Sequence, residues 1–320
     1  MSNPGALEVA VLGAGTMGHG IAQVMALAGH RVRLYDPNPA ALRAAPQRIG
    51  HSLASLVEAG VLEPEAARGC PGRISFWGEL EPACRRAELV FEAAPEQMAL
   101  KRELLSSVEG LVGPEALICS NTSAFSISEL ARGLRHPGRF LGTHFWNPPQ
   151  LIPCVEVVPG KESDPRCRRR VVEILRAAGK EPVQVRRDLP GFLGNRLQHA
   201  LQREAMSLVE QGVATPEELD RVVRFGFGLR LALMGPLERA DLGGLDVTLA
   251  VQEYLLPHLD RRTEPSPHLR ELVAKGRLGA KSGGGFYDWP PERLERRRRR
   301  RDRGLLALIK LVRELDREED

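Results

Sequence analysis

Six residues near the N-terminus, Gly13-Ala14-Gly15-Thr16-Met17-Gly18, constrain this chain more than any other stretch. They follow an apolar run, Leu7–Leu12, that reads as a buried strand, and they precede Ile21–Gly29, which reads as a helix. A G-x-G-x-x-G turn in that setting has a physical use for each glycine. The first permits the tight turn, the second lets a pyrophosphate approach the backbone, and the third lets helix and strand pack closely. The helix N-terminus adds free N–H groups and the positive end of the helix dipole. The next strand, Arg31–Asp36, ends in an acid eighteen residues after Gly18. A carboxylate there accepts hydrogen bonds from ribose hydroxyls and repels a 2′-phosphate, so the pattern predicts NAD rather than NADP. The expected cofactor contacts are Gly13, Gly15, Thr16, Met17, Gly18 and Asp36.

Strand and helix patterns keep alternating beyond the turn. Arg73–Trp77, Leu89–Ala93, Ala116–Ser120, Phe140–Asn147, Val155–Pro159 and Val183–Arg187 read as strands, with helices at Met98–Val112 and Arg166–Gly179. Such alternation predicts an α/β fold, a Rossmann-type doubly wound sheet covered on both faces. The pattern turns wholly helical near Asp188. Leu193, Leu197, Leu201, Ala205 and Leu208 recur at helical spacing, Gly212 stops that helix, and Thr215-Pro216-Glu217-Glu218 is a capping box for the next. The expected organisation is a dinucleotide-binding domain over 1–187 and an all-helical C-terminal domain over 188–320 that carries substrate contacts and dimerisation.

Apolar residues make up 42% of the 320, enough for a sizeable core. The net charge of +4 is modest and much of it sits in Arg296–Arg301, a run without interleaved aromatics, so no nucleic-acid partner is expected. That run, followed by Leu305, Leu308, Ile309, Val312 and Leu315, predicts an amphipathic helix packed on the body with its arginines solvated. No apolar stretch reaches the ~20 residues of a membrane span, and no signal peptide is recognisable. Five cysteines without paired spacing argue against disulfides and zinc. A cytoplasmic protein without a metal is therefore expected.

Oxidation of an alcohol by a nicotinamide needs a base for the hydroxyl proton, and histidine titrates near working pH. His144 falls at the end of a predicted strand, where open α/β sheets place their ligands. Glu156 lies twelve residues on, on the returning strand, where a hairpin brings its carboxylate beside the imidazole. Either residue alone reads as structural. Their joint placement after a dinucleotide-binding domain reads as a base and its orienting carboxylate.

Seven segments in order, GAGTMG, SNTS (120–123), HFWNP (144–148), the Glu156 strand, PGFLGNR (190–196), MGPLERADLGGLD (234–246) and KSGGGFYDW (281–289), resemble the L-3-hydroxyacyl-CoA dehydrogenase family along nearly the whole chain. The resemblance implies His144 as catalytic base with Glu156 as its partner, and Ser123 and Asn195 as hydrogen-bond donors to the substrate. It implies Glu92 and Gln97 on the nicotinamide side, Lys281 near the cofactor, Ser52 against coenzyme A, and a homodimer formed through the helical domain. The implied reaction interconverts an L-3-hydroxyacyl substrate and its 3-oxo product, with short-chain 3-hydroxyacyl-CoA as the first expectation.

One departure bears on that substrate. Ala59 stands where the family carries a lysine for the coenzyme A phosphates, and Glu58 beside it has the wrong sign. A lost phosphate contact weakens binding by ~1–3 kcal/mol. The Asn147-Pro148-Pro149 turn, the segments 195–198 and 208–212, and the Arg/Leu-rich tail resemble a sister group, lambda-crystallin (L-gulonate 3-dehydrogenase), which acts on free hydroxy acids. A free 3-hydroxy acid, L-gulonate- or carnitine-like, is therefore the alternative substrate. A non-catalytic NAD-binding structural protein is the alternative from another class.

Overall fold

The computed structural model describes residues 5–319. It divides into two compact units, Met1–Asn195 and Arg196–Asp320.

The first unit is built on one sheet of eight strands, β1 (Glu8–Leu12), β2 (Arg31–Tyr35), β3 (Ile74–Trp77), β4 (Leu89–Glu92), β5 (Leu117–Ser120), β6 (Phe140–Phe145), β7 (Cys154–Pro159) and β8 (Glu181–Gln184). Their order in the sheet is β3-β2-β1-β4-β5-β6-β7-β8. All pairs are parallel except β6 with β7, which runs antiparallel. The helices between the strands are α1 (Gly18–Leu27), α2 (Pro39–Glu58), α3 (Pro64–Gly69), α4 (Leu80–Cys84), α5 (Met98–Leu111), α6 (Ile127–Leu130) and α7 (Pro165–Ala177).

The strand period of two decides what each face buries. Val9, Val11, Leu89 and Phe91 point into one core with Ile21 and Met25 of α1 and Val171 and Leu175 of α7. Ala10, Leu12, Val90 and Ile118 point into the other with Leu105 and Val108 of α5. Both faces are covered, so the central strands are apolar throughout, as a doubly wound sheet requires. Most element ends move by a residue or two from the sequence reading, and α1 starts three residues earlier, at Gly18. β6 stops at Phe145, opposite Val155 and next to the first residue of its partner strand β7. β8 starts two and ends three residues earlier than expected because its register is set by β7, with Glu156 opposite Val183, and not by its own apolar pattern.

The second unit holds the rest of α8 (Gly194–Glu210), then α9 (Pro216–Phe225), α10 (Phe227–Leu231), α11 (Pro236–Gly243), α12 (Leu245–Leu255), α13 (Pro267–Ala274) and α14 (Pro291–Glu319). The capping box at Thr215 is present, with reciprocal bonds between Thr215 and Glu218. α9 to α12 bury no residue, and Leu229, Leu237, Leu242, Leu245 and Tyr254 are each more than 60% exposed. The tail helix forms and Arg296–Arg301 are exposed. Only Leu306 of its apolar residues is buried, while Leu308, Leu311 and Leu315 are exposed, so the packed stripe is narrower than expected. No described helix is long and apolar enough to cross a membrane, and no described cluster of His, Cys, Asp and Glu suits a metal ion.

Candidate active site

The carboxyl ends of β1, β4, β5 and β6 lie side by side, with the start of β7 next to them. At the end of β1, Gly13 turns with φ of 107° and its N–H donates to the Tyr35 carbonyl at 2.7 Å. A Cβ on Gly13 would lie 2.6 Å from the Ala93 carbonyl oxygen, and one on Gly18 would collide with the Gly13 carbonyl oxygen. Backbone packing therefore demands those two glycines. Gly15 is different, because a Cβ there would meet nothing within 4 Å. It opens a cradle in front of α1, whose N-cap residue Met17 supplies no side-chain cap. Unfilled space before an uncapped helix start fits a pyrophosphate. Thr16 is exposed at the turn. Asp36 stands at its edge, with Oδ2 accepting from Ala14 N and Oδ1 from Asn38 N, both at 2.8 Å.

His144 and Glu156 are direct partners across the β6–β7 ladder. His144 Nδ1 donates to Glu156 Oε2 at 2.8 Å, and both side chains are buried. Because a carboxylate only accepts, this bond assigns the proton to Nδ1 and leaves Nε2 with its lone pair. Nε2 has no hydrogen-bond partner among the described residues. The imidazole is flanked by Trp146 at 5.0 Å and Phe192 at 5.9 Å between ring centroids.

Glu156 Oε1 accepts from Leu193 N at 2.9 Å and Gly194 N at 3.0 Å. Gly191 (φ 75°) and Phe192 (φ 51°) are both left-handed, which turns those N–H groups towards the carboxylate. Burial alone raises the carboxyl pKa. The bonds from His144, Gly194 and Leu193 outweigh it and hold Glu156 below its ordinary value. Gly194 also makes room for Trp146, since a Cβ at 194 would lie 2.2 Å from the indole Cζ2.

The segment after β5 is tied down residue by residue. Asn121 Oδ1 accepts from Phe145 N at 2.9 Å, fixing the end of β6. Glu96 accepts from Thr122 Oγ1, Ser123 N and Ala124 N. Asp188 accepts from Ser126 Oγ, Ile127 N and Ser128 N and so caps α6. Asn195 Nδ2 donates to the Ser123 carbonyl at 2.7 Å, which brings the two together. Ser123 is exposed and its hydroxyl has no partner among the described residues.

Other expected site residues are placed differently. Glu92 is fully buried. Its carboxylate accepts from Ala94 N and Lys101 Nζ, both at 2.7 Å, and from Ser120 Oγ. It braces β4, β5 and α5 from inside and presents nothing to a ligand. The exposed carboxylate nearby is Glu96, with Lys101 Nζ at 3.4 Å. Gln97 is exposed and forms the N-cap position of α5. The Ser52 hydroxyl is buried and has no hydrogen-bond partner among the described residues. Lys281 lies in the second unit, exposed on the short turn Ala280–Ser282.

Glu96, Lys101, Asp188 and His19 are site residues that the sequence reading missed. The Glu96–Lys101 spacing carried a signal, because a helix starting at Met98 turns Lys101 back towards the strand ends. His19 gave none. It is buried, its Nδ1 donates to the Gly15 carbonyl at 2.6 Å, and burial lowers its pKa, so it pins the cradle as a neutral ring.

Known proteins resemble this chain along most of its length. The family model for the 3-hydroxyacyl-CoA dehydrogenase NAD binding domain matches residues 8–189, and that for the C-terminal domain matches residues 191–289. The 5-formyl-3-hydroxy-2-methylpyridine 4-carboxylate 5-dehydrogenase of Mesorhizobium japonicum is 34% identical over 305 residues, 95% of this chain and 98% of that protein. A probable 3-hydroxybutyryl-CoA dehydrogenase of Bacillus subtilis is 39% identical over 283 residues, 88% of this chain and 97% of that protein. The solved structure of a 5-formyl-3-hydroxy-2-methylpyridine 4-carboxylic acid 5-dehydrogenase, an NAD+ dependent dismutase, is 33% identical. It covers 96% of this chain and 99% of its own, with a TM-score of 0.91.

Proposed function

We propose that this chain, which belongs to the 3-hydroxyacyl-CoA dehydrogenase family, oxidises the alcohol of a short-chain L-3-hydroxyacyl-CoA to the 3-oxo product with NAD. The observation that carries this reading is the buried His144–Glu156 pair at the strand ends that also form the glycine cradle.

The cradle residues Gly13, Gly15, Thr16, Met17 and Gly18 would hold the pyrophosphate of NAD and Asp36 its ribose, and the bound cofactor would supply the acceptor for the hydride that leaves the carbinol carbon. His144 Nε2 takes the hydroxyl proton, and the imidazolium that forms stays bonded to Glu156 Oε2, whose depressed pKa keeps it ionised for that task. Ser123 Oγ is free to hold the substrate hydroxyl. Asn195, in the first turn of α8, lies where the helix dipole favours negative charge on the developing oxo group. Glu96 and Lys101 fix the loop that carries Ser123.

Coenzyme A as the handle is supported by the 39% identity to a probable 3-hydroxybutyryl-CoA dehydrogenase and by Arg48, exposed on α2 one turn before Ser52. A second reading, a small free hydroxy acid or aromatic carboxylate, is supported by the uncharged Ala59 beside Glu58, by the buried Ser52 hydroxyl, and by the end-to-end likeness to a pyridine carboxylate dehydrogenase. NADH formation on 3-hydroxybutyryl-CoA, 3-hydroxybutyrate, L-gulonate and carnitine separates the two. Turnover of 3-hydroxybutyryl-CoA alone, with a KM raised by Arg48→Ala, supports the first. An inert CoA ester beside an oxidised free acid overturns it. His144→Ala removes turnover on whichever substrate is active, and full activity in that variant overturns the mechanism.

The helical unit is proposed to pair with a second copy, which would cover the apolar side chains that α9 to α12 leave exposed. The five free thiols support a reducing compartment, the cytoplasm.

A further inference from the structure

The proton transfer described above gives no role to Trp146, whose indole stands beside the base with ring centroids 5.0 Å apart. Among the described residues it belongs to neither apolar core of the sheet. It is half-buried, so part of the ring is open. Phe192, the other ring near the imidazole, is 1% exposed and offers no surface to a ligand. The aromatic surface available next to His144 is therefore that of the indole.

This ring is held from two directions, both within the first unit. The preceding residue, Phe145, ends β6 and is 1% exposed. It packs edge-on against Phe91 at 5.7 Å, and its N–H donates to Asn121 Oδ1 at 2.9 Å, so the strand end cannot roll. On the other side, a Cβ at position 194 would collide with the six-membered ring of the indole, so the bare backbone of Gly194 is its seat. The chain thus gives up a side chain at 194 to keep a large, fixed, partly open ring beside the base.

We propose that Trp146 determines which substrates fit: its indole is the wall against which the alkyl arm of the carbinol carbon packs, and it limits that arm to a short chain. The inference rests on the 3-hydroxyacyl reading and holds with either a thioester or a free carboxylate as the handle. A carbinol whose hydroxyl donates to His144 Nε2 lies within reach of a ring centred 5.0 Å from the imidazole. Of its two arms, the carboxyl-derived one is polar and is best served by hydrogen-bond donors. The alkyl arm gains by covering carbon, and an indole presents carbon on both faces. Because the ring is pinned, a longer arm cannot push it aside, and overpacking against a fixed wall is unfavourable.

The test is kcat/KM for 3-hydroxybutyryl, 3-hydroxypentanoyl and 3-hydroxyhexanoyl compounds, each as the CoA ester and as the free acid. It is measured with NAD in wild type, Trp146→Phe and Trp146→Leu. Wild type is expected to lose about tenfold or more with each added methylene, the usual discrimination of an apolar pocket by size. Trp146→Leu is expected to flatten the series, raising the ratio of the longest to the shortest substrate by about tenfold or more, chiefly through KM. Trp146→Phe is expected to fall between. The ratio is taken within one preparation, so a variant that folds only in part still reports it. Equal losses at all three lengths overturn the proposal, because they are what an indole that merely braces His144, or that binds the carboxyl arm through Nε1–H, would give. A flat series in wild type overturns it as well. No turnover on any of these compounds overturns the 3-hydroxyacyl reading, and the size limit with it.

Discussion

His144 and Glu156 face each other across the only antiparallel pair of the eight-stranded sheet, and Glu156 divides its carboxylate between the imidazole and the start of α8. One oxygen thus fixes the ring and its tautomer, while the other fixes the segment that carries Asn195. Glu156→Gln keeps the size but gives up the charge that stabilises the imidazolium. The expected result is a kcat lower by roughly 10²–10⁴-fold, in line with the share general acid–base groups contribute. The KM for NAD should hardly move, because the cradle is untouched. A wild-type kcat in this variant would take Glu156 out of the reaction.

The carboxylates of the site set the pH dependence of stability. Burial raises the pKa of both Glu156 and Glu96, but their hydrogen bonds outweigh it and both end below the ordinary 4.5. A folded pKa below the unfolded one contributes stability that is fully present above the unfolded value and is lost as pH falls through the folded value. Tm is therefore expected to hold on the neutral side and to drop once pH falls below the ordinary carboxylate range. The drop should be shallower in Glu96→Gln, whose carboxyl no longer titrates. Scanning calorimetry across acid pH measures this, and an unchanged slope in Glu96→Gln would contradict it.

The parts of this site that were legible in the sequence are those fixed by local chemistry. The glycine turn, the acid ending β2 and the capping box at Thr215 each need only their own neighbours. The His144–Glu156 pairing was legible because a hairpin return sets the end of one strand beside the start of the next, and each residue lies near such an end. Glu92 and Glu96 could not be told apart that way. Both follow the same apolar run, and only the sheet shows that Glu92 still belongs to β4 and turns inward onto Ser120 and Lys101. Asp188 was out of reach for another reason, since its three donors lie sixty or more residues away in the chain. The buried side of α14 was also hidden, because its leucines recur on more than one face and only packing decides that Leu306 is the one enclosed.

Gly194 is held to glycine by Trp146, not by its own backbone angles. A methyl group there would meet the indole at 2.2 Å, and the indole lies against His144. Gly194→Ala is expected to cost ~1–3 kcal/mol, the usual penalty of overpacking, and to lower kcat by displacing the ring beside the base. Trp146→Leu in the same chain removes the obstacle, so the double variant should be more stable than additivity allows. Chemical denaturation of the four species measures the coupling, and strictly additive losses would show that the contact is not the cause.

The Lys101–Glu92 pair is the most enclosed charge in the site, with side chains 1% and 0% exposed. Removing one member leaves the other charge buried without its counter-ion, which typically costs 3–5 kcal/mol, roughly the loss expected for Lys101→Met. Replacing both charges is a different experiment. Lys101→Met with Glu92→Gln leaves no uncompensated ion, and the glutamine oxygen can still accept from Ala94 N while its amide NH2 donates to Ser120 Oγ, so much of the stability should return. Activity should not return with it, because Lys101 also steadies Glu96 at 3.4 Å, and Glu96 holds Thr122 and Ser123 in place. The expected pattern is a double variant that melts near wild type yet has a raised KM for the alcohol substrate. A double variant with wild-type KM would make the pair a purely structural brace.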